Sequence, residues 1–246
     1  MRSDGEAMTR FRDVFPARHT ILPIIHVSSR EQALRNVRIA RDCGADGCFL
    51  ISLGECSDEE VLEIHHQVSQ AEPCFWIGLN CLGIPAEELF TRISAEVPGV
   101  WVDDALIVEG QEEQTAAQRI LSARRLIDWP GLYFGGVAFK YQRPVRDPAD
   151  VARRAKDFMD VVTTSGPGTG LAAEPGKIRR MKQAIGDFPL AVASGVTPEN
   201  VTDYLSYADC FLVATGISST LDELDPPRVR DLIRVVRSWQ PPTTVA

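Results

Sequence analysis

Leu190-Ala-Val-Ala-Ser-Gly-Val-Thr-Pro-Glu-Asn-Val201, followed by Phe211-Leu-Val-Ala-Thr-Gly-Ile217, decides how this chain is read. Each half is a short apolar run that stops at Ser-Gly or Thr-Gly, as a buried strand ending in exposed backbone amides would. Gly195 and Gly216 carry no Cβ, so an anion can come close to their N–H groups. Beyond the first run, Thr197 can cap a helix, Pro198 fits its first turn and Glu199 suits its positive end. Two successive strand ends of this kind form the phosphate cup that follows strands 7 and 8 in many (β/α)8 barrels. The expected ligand is a phosphorylated small molecule held by Ser194, Gly195, Val196, Thr215 and Gly216.

The same alternation extends outward through the chain. Strand-like runs fall at 21–27, 47–52, 74–80, 100–103, 132–139, 161–164, 190–194 and 211–214. Amphipathic helical patterns fall at 29–43, 58–70, 86–96, 115–128, 148–159, 176–185, 198–207 and 227–239. Near-continuous apolar strands with intervening helices mark a parallel sheet covered on its faces. Eight such units predict closure into a single (β/α)8 TIM barrel of the α/β class, and 246 residues is a typical length for one. An open, doubly wound sheet is the weaker alternative. Residues 1–246 form one domain, with 1–18 and 240–246 expected to be peripheral and mobile.

Hydrophobic residues make up 44% and charged residues 24% of the chain, enough for a full core. The net charge of −8 disfavours nucleic acid and anionic membranes as partners, although a local cationic pocket is permitted. No apolar run approaches the ~20 residues of a membrane span, and residues 1–19 lack the apolar segment of a secretory signal. The expected location is the cytoplasm. The six cysteines form no CxxC; Cys48, Cys74 and Cys210 sit in or beside apolar runs and read as reduced core residues. Homo-oligomerisation stays open.

In such a barrel the chemistry lies at the C-terminal strand ends. Those ends carry His26, Ser52, Asn80, Asp103 with Asp104, Lys140, Thr164 with Ser165, Ser194 with Gly195, and Thr215 with Gly216. The sixth loop, Thr163-Thr-Ser-Gly-Pro-Gly-Thr-Gly170, is rich in donors and free of acids, so Thr164, Ser165, Gly166, Gly168, Thr169 and Gly170 are expected to close over the ligand with Asn80. Lys140 is an anion anchor or electrostatic catalyst, and a Schiff-base nucleophile only if burial depresses its pKa. Alternation sends one of Asp103 and Asp104 toward the barrel axis, where it is a candidate general acid/base. His26 is a candidate for the same role, whereas His65 and His66 read as surface residues of a helix. Only His26 among the histidines ends a strand, so no metal site and no resident cofactor are expected; Mg²⁺ held by one carboxylate and substrate oxygens stays open. No Walker-type or GxGxxG loop points to a nucleoside triphosphate or a dinucleotide.

These residues together resemble the BtpA family, a group of ribulose-phosphate-binding-type barrels named for a member linked to photosystem I assembly. The resemblance runs through Ile25-His26, Gly44-Ala-Asp-Gly47, Gly78-Leu-Asn80, Asp103, Glu109-Gly110 and Lys140. It continues through Thr164-Ser-Gly166, Thr169-Gly170 and Ala193-Ser-Gly-Val-Thr-Pro-Glu-Asn-Val201. It implies the barrel and its phosphate site. The pattern departs from related phosphosugar barrels: the metal set of a ribulose-phosphate epimerase and the Asp-x-Lys-x-x-Asp pattern of orotidine-phosphate decarboxylases are missing.

The expected function is an isomerase, lyase or transferase acting on a phosphosugar or phosphoribosyl compound. The alternatives are glycosyl or phosphoribosyl transfer, and a non-catalytic assembly or stability factor that keeps a phosphate-ligand site, as the resemblance implies.

Overall fold

A computed structural model describes residues 4–53 and 55–241. Eight parallel strands close in sequence order: β1 (Thr20–His26), β2 (Cys48–Ile51), β3 (Ile77–Asn80), β4 (Gly99–Val102), β5 (Leu132–Gly136), β6 (Val161–Ser165), β7 (Leu190–Ala193) and β8 (Cys210–Val213). The seam is made by β1 on β8, with Ile21 opposite Phe211 and Pro23 opposite Val213. Every strand residue is buried, as expected of strands covered by helices outside and filled by side chains within. Leu22, Phe49, Trp101, Phe134 and Leu212 belong to the inner cluster, where Phe49 and Phe134 meet edge-on at 5.2 Å.

The outer helices are α2 (Arg30–Asp42), α3 (Asp58–Ala71), α4 (Ala86–Arg92), α5 (Thr115–Leu126), α6 (Pro148–Ala155), α7 (Pro175–Ile185) and α8 (Pro226–Ser238). Their starts follow from local chemistry. Ser57 and Glu60 form a reciprocal capping box on α3, and Asp147 and Asp225 cap α6 and α8 ahead of first-turn prolines. Ala33, Val37 and Ala40 give α2 its buried stripe.

Two expectations are corrected. The helix predicted at 198–207 is only a 3₁₀ turn, Val201–Asp203. Asn200 explains this, because its side chain accepts from Thr197 N–H (2.8 Å) and donates to Gly195 C=O (2.8 Å), competing with a helical ladder. Residues 4–18 are not peripheral. They hold a further helix, α1 (Asp4–Val14), that lies before β1 and completes the inner core from below. Phe11 and Phe15 are 0% and 1% exposed and pack against the barrel interior, Phe11 on Phe134 and Phe15 on Trp76. Arg10 ties the helix down through Asp160 (2.8 Å) and Gly131 C=O (3.0 Å). Asp160, fully buried, also accepts from Tyr133 N–H (2.8 Å) and pairs with Arg124. Of the 240–246 segment, residues 242–246 lie outside the described residues.

All six cysteines are free; Cys48, Cys81 and Cys210 are buried, while Cys74 is exposed rather than a core residue. His65 is also corrected: it is buried, and its Nε2 donates to Ile77 C=O (2.8 Å). His66 stays on the surface. Among the described residues no helix is long and apolar enough to cross a membrane.

Candidate functional site

Because β7 and β8 are parallel neighbours, their Ser-Gly and Thr-Gly turns emerge side by side at the C-terminal mouth. The turns interlock. Ser194 (φ +66°) and Gly195 (φ +65°) are both left-handed, and the space a Cβ on Gly195 would fill is taken by the backbone of Leu171 and Ala172 in loop 6. A Cβ on Gly216 would strike Val196 C=O, so the β8 turn rests on the β7 turn. Thr215–Ile217 makes a 3₁₀ turn. Arg228, in the first turn of α8, holds it by donating to Gly216 C=O (2.9 Å). Among the described residues the N–H groups of Gly195, Val196, Thr215 and Gly216 have no protein acceptor, although all but Thr215 are buried. Unpaired main-chain donors on two adjoining turns suit an anion; of these four residues Thr215 lines the mouth, and Gly195, Val196 and Gly216 lie behind its lining.

Loops 5 and 6 form the facing wall. β5 ends at Gly136 rather than at 139, because Val137 N–H makes the last ladder bond, to Thr163 C=O (2.8 Å), and Ala138 then takes φ +46°. Gln142 fastens this bend by donating to Asp103 C=O (2.7 Å) and Gly136 C=O (3.0 Å). Lys140 Nζ lies 3.4 Å from Thr169 Oγ1, and the Tyr141 hydroxyl accepts from Thr169 N–H (3.2 Å), so the two loop tips touch. Behind them stands Lys177, which residue order alone did not single out. From α7 it donates to Ala138 C=O (2.6 Å) and Ser165 C=O (2.7 Å), and burial pushes its pKa down to about 8 against the opposing pull of Glu174.

Thr164 and Ser165 are fully buried and serve this framework instead of facing the mouth. Thr164 Oγ1 donates to Ala138 C=O (3.1 Å), while Ser165 Oγ accepts from Lys140 N–H (2.8 Å) and donates to Gly166 C=O (2.9 Å). Gly166 and Gly168 are buried under the Leu171 segment. Thr169 and Gly170 do line the mouth.

The mouth is a cavity of about 290 Å³ that brings together His26, Asp103, Lys140, Thr169, Gly170, Ser194 and Thr215. Concavities of about 830 and 790 Å³ lie beside α4 with α5 and beside α3 with α4, away from the C-terminal ends of the strands. The mouth alone among these three lies at the C-terminal ends of the strands, where barrels of this kind carry their chemistry. Asp103 is the inward member of its pair. Asp104 is exposed, lies outside the cavity lining and turns its own loop by accepting from Leu106 N–H (2.8 Å). Asn80, 1% exposed, does not reach the mouth but donates to Asp103 Oδ1 (3.1 Å), fixing the carboxylate.

Burial raises the Asp103 pKa above the usual carboxylate value, while Lys140 and the Asn80 bond pull it back. Burial lowers the His26 pKa, against the upward pull of its bond to Leu221 C=O, and the Lys140 charge lowers it further. That bond, 2.6 Å from Nδ1, requires the proton on Nδ1 because a carbonyl only accepts. Nε2 is then the basic nitrogen. Among the described residues no His/Cys/Asp/Glu group has the arrangement of a metal site.

The sequence profile of the BtpA family matches residues 90–238, a span from α4 to α8 that contains Asp103, Lys140, loop 6 and both glycine turns. An uncharacterized protein of Thermococcus kodakarensis is 24% identical over 229 residues, covering 84% of this chain and 85% of its own. Solved structures share the fold at lower identity. (S)-3-O-geranylgeranylglyceryl phosphate synthase from Thermoplasma acidophilum, in complex with sn-glycerol-1-phosphate, is 15% identical with a TM-score of 0.66 over 97% of this chain and 100% of its own. Phosphoribosyl anthranilate isomerase from Thermus thermophilus is 18% identical with a TM-score of 0.60 over 88% of this chain and 98% of its own. Tryptophan synthase from Mycobacterium tuberculosis is 15% identical with a TM-score of 0.66 over 95% and 99%.

Proposed function

The chain belongs to the BtpA family, and from that premise we propose that it is an enzyme acting on a phosphorylated small molecule of the phosphosugar or phosphoribosyl class. The observation that carries this reading is the interlocked pair of glycine turns with unpaired N–H groups, whose Ser194 and Thr215 line one mouth with Lys140. The main-chain donors would take the phosphate, with Thr169 and Gly170 closing from loop 6. Two barrels of similar fold whose names carry a phosphorylated compound, the phosphoribosyl anthranilate isomerase and the glyceryl phosphate synthase, add support.

Lys140 would stabilise negative charge that develops on the substrate. Asp103 and His26 would move protons. Burial moves the Asp103 pKa upward and the His26 pKa downward, which favours a neutral carboxyl group and a neutral imidazole in the mouth. Asn80 and Leu221 C=O act as positioning partners for that pair. The arrangement suits isomerisation or bond cleavage beside a carbonyl, in which a base removes a proton and a cation steadies the resulting oxyanion.

Ribose 5-phosphate, tested by thermal shift, is the direct probe. At a hundred times its Kd a ligand adds ~2.7 kcal/mol, roughly 5–10 °C for a domain of this size. A shift is expected in the wild type and a much smaller one in Lys140→Met. If a panel of phosphosugars produces no shift in the wild type, the reading is wrong.

A further inference from the structure

The mouth is divided by chemistry. On the side of loops 5 to 8 its lining offers Lys140, Thr169, Ser194 and Thr215. On the side of β2 to β4 it offers Ile51, Leu53, Leu82 and Trp101, whose one polar side-chain atom is the buried indole N–H of Trp101. His26 on β1 and Asp103 after β4 stand at the two borders between these halves.

Nearby polar groups do not soften the apolar half. The Asn80 amide is committed to Asp103. Ser52 donates to the Asp58 carboxylate and accepts from Leu82 N–H (2.9 Å), which also ties loop 2 to loop 3. Leu53 and Leu82 are therefore held by a hydrogen-bonded frame, yet they remain 39% and 42% exposed. Large apolar side chains fixed at the rim of a polar cavity, without protein to cover them, suit the apolar part of a ligand.

Resting on the phosphate reading, we infer that the substrate is a phosphomonoester whose far end is an aromatic or aliphatic hydrocarbon group. Its phosphate sits on the β7 and β8 turns, its hydrocarbon group lies against Leu53, Leu82 and Trp101, and the reacting bond spans the border between Asp103 and His26. A bare pentose phosphate would leave that wall wet.

The test compares methyl phosphate with 4-phenylbutyl phosphate by titration calorimetry on the full chain. In the wild type the phenylbutyl ester is expected to bind at least about tenfold more tightly, from added apolar burial. Leu53→Ser with Leu82→Ser removes exposed side chains only, so the fold is retained. This double variant is expected to erase most of that gain while methyl phosphate binds as before. Leu126→Ser, on the outer face of α5, controls for loose adsorption and keeps the gain. Lys140→Met is expected to weaken both esters alike.

Equal binding of the two esters in the wild type overturns the inference and leaves the phosphate reading standing. So does a gain that survives the double variant. Failure of both esters and of inorganic phosphate to bind overturns the two together.

Discussion

Asp103 sits where the polar and apolar halves of the mouth meet, and its carboxylate is held in an environment that resists charge. Its folded pKa is raised, so the native state binds the proton more tightly than the unfolded chain does. The stability this supplies is complete below the unfolded value of 3.8 and is lost as pH rises through the folded pKa. Asp103→Asn should therefore gain on the wild type in urea midpoint as pH is raised from 4 to 7, while turnover is lost. A variant that is less stable than the wild type by an equal amount at both pH values would contradict the assignment. His26 shows why residue-level reading had limits. Its place at the end of the first strand was legible from the alternation, but its tautomer depends on Leu221, 195 positions away.

Among the elements, the β7 and β8 turns were the most readable, because a glycine after a short apolar run already states how close a neighbour can come. Asn80, Thr164 and Ser165 read as ligand groups because they stand at strand ends; the structure uses them to hold Asp103 and the loop 5 bend. A hydroxyl at a strand end looks the same in sequence whether it faces the axis or a neighbouring loop. Lys177 was missed for a related reason, since a lysine in the first turn of an amphipathic helix reads as solvated. Its two carbonyl bonds join the ends of β5 and β6 beneath loops 5 and 6. Lys177→Met removes the side-chain donor from Ser165 C=O and leaves Ala138 C=O with Thr164 Oγ1 alone, and amide exchange across 138–142 and 166–172 should quicken by about tenfold, read by mass spectrometry. Unchanged exchange there would remove Lys177 from the framework of the mouth.

At the scale of the molecule, eight strands in order were foreseen, whereas the floor of the barrel was not. Residues 1–18 were read as mobile because they stand at an end of the sequence. Their signal was the spacing of Ala7, Phe11 and Phe15, one side of a helix, buried beside a polar remainder. Phe11→Ala should cost ~3–5 kcal/mol in chemical denaturation, the range for a large core side chain, where a peripheral segment would give almost none.

The floor also sets an order of events. Arg10 and its partner Asp160 are 150 positions apart, and Phe11 rests on Phe134. A ribosome adding about 5–20 residues per second needs roughly 7–30 s to cover that distance. During synthesis α1 is thus made well before the strands and the carboxylate that seat it. For that interval Phe11 and Phe15 present an oily ridge to water or to whatever chaperone shields nascent chains.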